Sequence, residues 1–485
     1  MTNTYLSGNF APVQKELTET ELTVTGTIPD YLDGRFLRNG PNPISEVDPA
    51  TYHWFLGDGM VHGVRLRDGK AQWYRNRWVR SPQVADALGE PVPGRPSSAP
   101  ITSLGANTNV IAHAGRTLAL VEAGVANYEL TEELDTVGPC DFDGTLPGGY
   151  TAHPKLDPRT GELHAVSYFF GRGNRVQYSV IGADGRARRT VDIPVTGSPM
   201  MHDMSLTEKY VIFYDLPVVF DPDQAVADIP MPNALRTPAK LVMSALLGNV
   251  RVPTPVATRL GRSVPANSRM PYRWDPRYPA RVGVMPREGT ADDLRWFDVE
   301  PCYVFHPMNA YDEDNTIVLD VVRHPKMFAT DFNGPNEGSP SLDRWTVDLA
   351  DGKVRESRLD DHPQEFPRVD ERLTGRRHRY GYAMQTVTGT GAQAGDVILK
   401  HDLVAGHTAE HRLGAGRHGS EFVFVPAGPE AGEDDGTLMG FVYDSQVDRS
   451  NLTLLDARSL ETVAQVHLPA RVPHGFHGNW APTGQ

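Results

Sequence analysis

The chain has 485 residues, 61 acidic against 47 basic, and a net charge of -14 at pH 7. Without a basic tract it lacks the electrostatic footprint of a nucleic-acid binder, so the expected partner is a small molecule and no nucleic acid. Hydrophobic residues make up 39%, ample for a large core, yet no run approaches the ~20 apolar residues that would cross a bilayer.

From the N-terminus, MTNTYLSGNFAPVQKE shows no basic stretch followed by an apolar run, which predicts no signal peptide. Cys140 and Cys302 are the only cysteines, a composition that predicts no disulfide scaffold and suits a reducing, cytoplasmic location. Between about Leu22 and Leu468, short β-branched and aromatic runs such as YVIFYDLPVVF, TIVLDVV, EFVFVP and TLMGFVYD alternate with turn signals such as RDGK, DPRTGE, ADGR and EDDG. These are the marks of consecutive antiparallel strands. Their even spacing without a break predicts an all-β chain, residues 1–485 forming a single β-propeller domain. One insertion departs from the pattern, from about 221 to 262. It contains AKLVMSALLGNV, read either as an ordinary buried helix on the propeller face or as an apolar collar at a tunnel mouth, touching a membrane surface.

Of 17 histidines, four end or begin a strand-like run beside Pro, Gly or Met: His153 in YTAHPKLDP, His202 in PMMHDMSL, His306 in VFHPMNAYD and His477 in GFHGNW. In a propeller the inner strand ends of successive blades converge on the axis, so residues far apart in sequence can meet there. A ring closed by the terminal strand also carries the C-terminus to that axis. Four imidazoles are borderline nitrogen donors for Fe(II), Zn, Cu or Ni, and each needs its other ring nitrogen anchored, usually on a carboxylate. Glu122 in LALVEAG, Glu365 in PQEFPRV and Glu421 in GSEFVFV each place a charge inside an apolar run, where it should be paired. The alternative for each glutamate is a salt bridge or a solvent-facing edge position.

In order along the chain, FLRNGPNP, HWFLGDGMVHGV, WYRNRWVR, ALVEAG, TAHPK, MMHDMSLTEKYVIFYDLP, FHPMNAYD, LDRW, QEFPR, SEFVFVP, EDDG and VPHGFHGNW resemble the carotenoid cleavage oxygenase family, in wording nearest to actinobacterial members acting on carotenoids and apocarotenoids. The resemblance implies a seven-bladed propeller with a loop and helix cap over the metal-bearing face. It implies one Fe(2+) per chain on His153, His202, His306 and His477, with Glu122, Glu365 and Glu421 bonded to three of the four. It places Thr108 near the open side of the iron, and Val121, Phe305, His474 and Phe476 along the substrate pocket. His474 becomes a pocket or supporting residue, because the family ligand is the histidine between Phe and Gly. The activity implied is a dioxygenase splitting a conjugated C=C bond of a carotenoid or apocarotenoid with O2 as co-substrate, with no side chain acting as acid or base. The alternative is the same chemistry on phenylpropenes or stilbenes of the isoeugenol, vinylguaiacol or resveratrol type, giving aromatic aldehydes such as vanillin. Members that split 4-hydroxystilbenes carry a lysine where this chain has Val121, which favours the polyene.

Overall fold

A computed structural model describes residues 3–94, 105–169, 172–227, 232, 236–237, 270–332, 334, 337–386 and 395–484. The β-branched runs form antiparallel meanders because the intervening turns are only a few residues long, which permits hairpins and forbids crossovers. Seven such sheets stand around one axis as a β-propeller, the architecture that the spacing of the strands predicts, with the blade number that the family resemblance implies. Blades two to six each have four strands and start, at the axis, with Asn109–His113, Lys155–Leu156, Met204–Leu206, Tyr303–Glu313 and Gln364–Arg368.

Blades one and seven close the ring by exchanging the two ends of the chain. Blade seven, built on Gly436–Asp444, Arg449–Asp456 and Thr462–His467, takes the N-terminal strand Thr23–Gly26 at its outer edge. Blade one takes the C-terminal strand Gly478–Pro482 as its innermost member, paired with Gly34–Pro41 in the register Arg38↔Gly478 to Gly34↔Pro482. The Gly478–Pro482 strand is therefore built into the inner wall of the ring.

The core lies between the blades, where the apolar faces of neighbouring sheets meet. Phe36, Val64 and Tyr74 of blade one pack on Val423, Phe441 and Leu452 of blade seven, while Leu37 and Val61 pack on Val110 and Ala119 of blade two. A larger cluster runs through blades three, four and five. This arrangement leaves the axis itself to polar side chains.

The insertion interrupts blade four between Tyr210–Asp215 and Arg281–Pro286. Val218–Phe220 and Tyr272–Trp274 pair as a small separate ribbon, and Pro222–Ala227 is helical. AKLVMSALLGNV, and with it most of the implied cap, lies outside the described residues. Pro82–Leu88 is a further α-helix, and none of the helices among the described residues is long and apolar enough to cross a membrane. Cys140 and Cys302 are buried and free.

Candidate metal centre

Every blade contributes to one point on the axis. Thr108 and His477 stand one residue before the innermost strands of blades two and one, and His153 and His202 two residues before those of blades three and four. Glu421 stands two residues before Val423–Pro426 in blade seven. His306 and Glu365 lie near the start of the inner strands of blades five and six. Prolines explain why these residues can leave the ladder. Pro307 and Pro367 have no N–H to donate, and the register breaks at both: between Val304, Pro307 and Asn309, and between Glu365 and Arg368. Phe366, inside the second break, has φ +55°, a strained conformation for a bulky residue. Its N–H bonds Glu365 Oε2 at 2.7 Å and its ring stacks on His306 at 5.6 Å.

Two close backbone approaches complete the frame. A Cβ on Gly149 would sit 1.5 Å from the carbonyl oxygen of Gly124, so only glycine lets the loop after Glu122 press against the loop before His153. A Cβ on Gly475 would sit 2.8 Å from Asn39 O, and the guanidinium of Arg38 donates to Pro473 O and, at 3.1 Å, to Ser420 Oγ. The segment before His477 is thus clamped, and the His477 N–H donates to Thr108 O at 3.0 Å.

The four predicted histidines meet, all buried, with ring centroids 4.4 to 5.3 Å apart for the neighbouring pairs. The three predicted glutamates surround them. His306 Nδ1 donates to Glu365 Oε2 at 2.6 Å and His477 Nδ1 to Glu421 Oε1 at 3.0 Å. Glu122 Oε1 accepts from His153 Nε2 at 2.9 Å and lies 2.8 Å from His202 Nδ1, the latter without the alignment of a hydrogen bond. Burial opposes charge on all three carboxyls. It is outweighed by His202 and His153 at Glu122, by His306 and His324 at Glu365, and by Arg368 and His477 at Glu421. The first two are held well below the ordinary range and the third at about 2. Burial also lowers the pKa of His153 and of His306, favouring the neutral imidazole that can ligate a metal.

This donor set fits a metal ion. With its proton on the nitrogen facing Glu365, neutral His306 presents an unprotonated Nε2. The Nε2 of His202 lies 3.2 Å from it. A metal–imidazole distance of about 2.1 Å puts neighbouring nitrogens on one ion about 3.0 Å apart, so a shared cation answers both lone pairs. His153, His306 and His477 each offer a ligand atom within 4.8 Å of the others, and Glu122, His153 and His202 do the same.

Of the other predicted positions, Thr108 is buried, with its hydroxyl donating to Asn107 Oδ1 at 2.9 Å. Phe305 meets His202 edge-on at 4.9 Å and continues through Phe55 to Phe476 and Trp54, an aromatic wall beside the histidines. Val121 packs with Leu37, Val61 and Ala119 between blades one and two. His474 serves the N-terminal segment: its backbone N–H bonds Asn9 O at 2.8 Å, and its ring neighbours are Phe10 and Tyr443 rather than any of the four histidines.

Sequence reasoning missed the groups that hold the glutamates. Tyr168 donates to Glu122 Oε2 at 2.6 Å, His324 to Glu365 Oε1 at 2.7 Å, and the Gly478 N–H and Arg368 to Glu421 at 2.7 and 3.3 Å. One signal was present, since His324 precedes proline in RHPK just as His153 and His306 do in AHPK and FHPM. Asp203, beside His202 and ion-paired to Lys155 at 2.7 Å, carried no such signal.

Comparison with known proteins finds full-length relatives. The sequence model of the retinal pigment epithelial membrane protein family matches residues 10–482. The carotenoid cleavage oxygenase of Mycobacterium tuberculosis is 60% identical over 99% of this chain and 98% of its own length. The carotenoid 9,10(9',10')-cleavage dioxygenase 1 of Arabidopsis thaliana is 33% identical over 98% of this chain and 89% of its own. The crystal structure of the lignostilbene dioxygenase of Pseudomonas brassicacearum superposes with a TM-score of 0.80 at 27% identity, covering 99% of this chain and 98% of that one. On the full-length match, the shared fold and the blocks that end in the histidine ring, the chain belongs to the carotenoid cleavage oxygenase family.

Proposed function

We propose that the chain is a non-haem Fe(II)-dependent dioxygenase that cleaves a conjugated C=C bond of a carotenoid or apocarotenoid, with O2 as co-substrate, to two carbonyl products. The observation that carries this reading is the approach of His202 Nε2 to His306 Nε2 at 3.2 Å inside a ring of four imidazoles and three carboxylates. His153, His202, His306 and His477 would hold one Fe(II) per chain, a metal that nitrogen donors suit. When bound, the iron supplies the activation of O2 that an alkene does not undergo unaided. The rest is the work of the chain. Glu365, Glu421 and Glu122 hold the proton of an imidazole on the nitrogen away from the metal. Glu122 faces two histidines with one oxygen, aligned on His153 Nε2 and close to His202 Nδ1. Phe305, Phe55 and Phe476 present flat apolar surface beside the site, suited to stacking a polyene and excluding water. No acid or base is needed at the substrate. A cytoplasmic chain that meets its substrate at a membrane surface belongs to the same reading.

Removal of one glutamate's charge tests the supporting role. Glu122→Gln, Glu365→Gln and Glu421→Gln are each expected to weaken iron binding or turnover by roughly 10- to 100-fold, because an amide accepts the imidazole proton without raising its basicity. Chelator competition and steady-state kinetics measure this. Wild-type values in all three variants would make the glutamates structural.

The Mycobacterium relative, a carotenoid cleavage oxygenase, supports the carotenoid substrate. The likeness to a lignostilbene dioxygenase favours the second reading, phenylpropene or stilbene cleavage to aromatic aldehydes. Val121 beside Glu122 weighs against it, since a phenol there meets an aliphatic cluster instead of a cation. Incubation with an apocarotenal in detergent, isoeugenol, vinylguaiacol and resveratrol, followed by mass measurement of both products, decides between them. Cleavage of the apocarotenal is expected to dominate. Efficient turnover of the phenols alone would remove the carotenoid reading and leave the metal site standing.

A further inference from the structure

The histidine ring has a second, polar side. A cavity of 180 Å³ reaches His153, His306 and His477 along the propeller axis, between the innermost strands. Phe305, Phe55 and Phe476 do not line it, and its aromatic residues are Phe366 and Trp480. Its walls carry Asn109, Lys155, Asp203, Arg368, Glu371 and Asn479, with Glu421 at the inner end. Glu371 has a side chain 55% exposed, which marks the mouth, whereas the side chains of Asp203 and Glu421 are each 2% exposed. The charges are paired but uneven. Lys155 bonds Asp203 at 2.7 Å, and Arg368 bridges Glu371 and Glu421, leaving three carboxylates to two cations. Asp203 Oδ2 lies 3.9 Å from His153 Nδ1, so oxygen ligands run from the surface almost to the imidazoles.

We propose that this axial cavity is the loading path of the metal ion, with Glu371 receiving a hydrated divalent cation at the mouth and Asp203 passing it to the histidines. The inference rests on the metal reading of the site. A dication surrenders water only where oxygen or nitrogen ligands replace it. The aromatic wall offers none, while the axial cavity offers carboxylates and amides between its mouth and the imidazoles. The molecule thus separates its two traffic routes by polarity: the ion along the axis, the apolar alkene along the aromatic side.

The test uses the full-length protein stripped by chelator and then mixed with Co2+, with uptake followed by stopped-flow absorbance and by intrinsic fluorescence. Ala112→Trp on the inner strand of blade two and Thr374→Trp beside blade six narrow the cavity from different sides, and Glu371→Lys reverses the charge at its mouth. The uptake rate is expected to fall by about tenfold or more in each, while cobalt at equilibrium stays at one per chain. Saturation with a long apolar alkene beforehand is expected to leave the rate unchanged. Circular dichroism confirms folding, and the surface variant Glu371→Lys keeps the test valid if a Trp variant unfolds. Wild-type uptake rates in the folded variants, or slowing by the alkene instead, would overturn the path alone. Failure of the wild-type protein to take up any cobalt would overturn the metal reading as well.

Discussion

Replacing any one of His153, His202, His306 or His477 with Ala is expected to reduce iron from one per chain to a small fraction and to abolish alkene cleavage, with the propeller intact. The fold does not depend on these rings. Three of them precede their strands, and His306 sits in a ladder break, so no regular backbone pairing is lost with the side chain. The carboxylates they leave behind keep other donors, His324 and the Phe366 N–H for Glu365, and the Gly478 N–H and Arg368 for Glu421. The cost to stability is therefore that of one or two buried hydrogen bonds, roughly 1–3 kcal/mol each. The cost to the site is a quarter of its donors. His474→Ala is the control. It should remove the ring's contacts with the Asn9 amide and Phe10 and leave the iron in place. Elemental analysis and oxygen uptake with a conjugated alkene measure both sides. Iron retained in His477→Ala but lost in His474→Ala would reverse the assignment of the C-terminal ligand.

Ending the chain after His477 should be worse for the fold than any of these substitutions. The removed residues form the innermost strand of blade one, five residues paired in register with Gly34–Pro41. About five ladder positions at ~1 kcal/mol per hydrogen bond, with ~2–3 kcal/mol from burying Ala481 and part of Trp480, compare with the whole stability of a typical domain, ~5–15 kcal/mol. The same cut removes the Gly478 N–H from Glu421 and the Asn479 amide from Asn109 and Val110, taking polar ties of blade one to blades two and seven. The expected outcome is loss of the cooperative thermal transition, followed by circular dichroism. A truncated protein melting at the wild-type temperature would show that the Gly478–Pro482 strand does not close the ring.

The local chemistry of the chain was enough to read its strands and turns, because β-branched runs and tight turns act over a few residues. It was also enough to single out four histidines and three glutamates, since a titratable group placed at a strand start beside proline, or inside an apolar run, breaks a pattern visible in one dimension. AKLVMSALLGNV shows the reach of that reading, since its two alternatives differ only in what packs against the segment. His474 and His477 are three residues apart, in the same GF/HG wording, yet one ring faces the N-terminal Phe10 and the other faces Glu421. Which way each turns depends on the register of Gly478–Pro482 against Gly34–Pro41, a pairing between the two ends of the chain. Tyr168 and Arg368 were hidden for the same reason, each being an ordinary residue until a neighbouring blade brings a carboxylate to it. Residue type and short-range pattern, then, determined that this chain is a propeller carrying a histidine and carboxylate set. Only the closed ring of blades decided which nitrogens face one another, which oxygen holds which proton, and that the aromatic wall and the charged axial cavity lie on different sides of the site, because those contacts arise from packing between blades and leave no trace in the order of residues along any one of them.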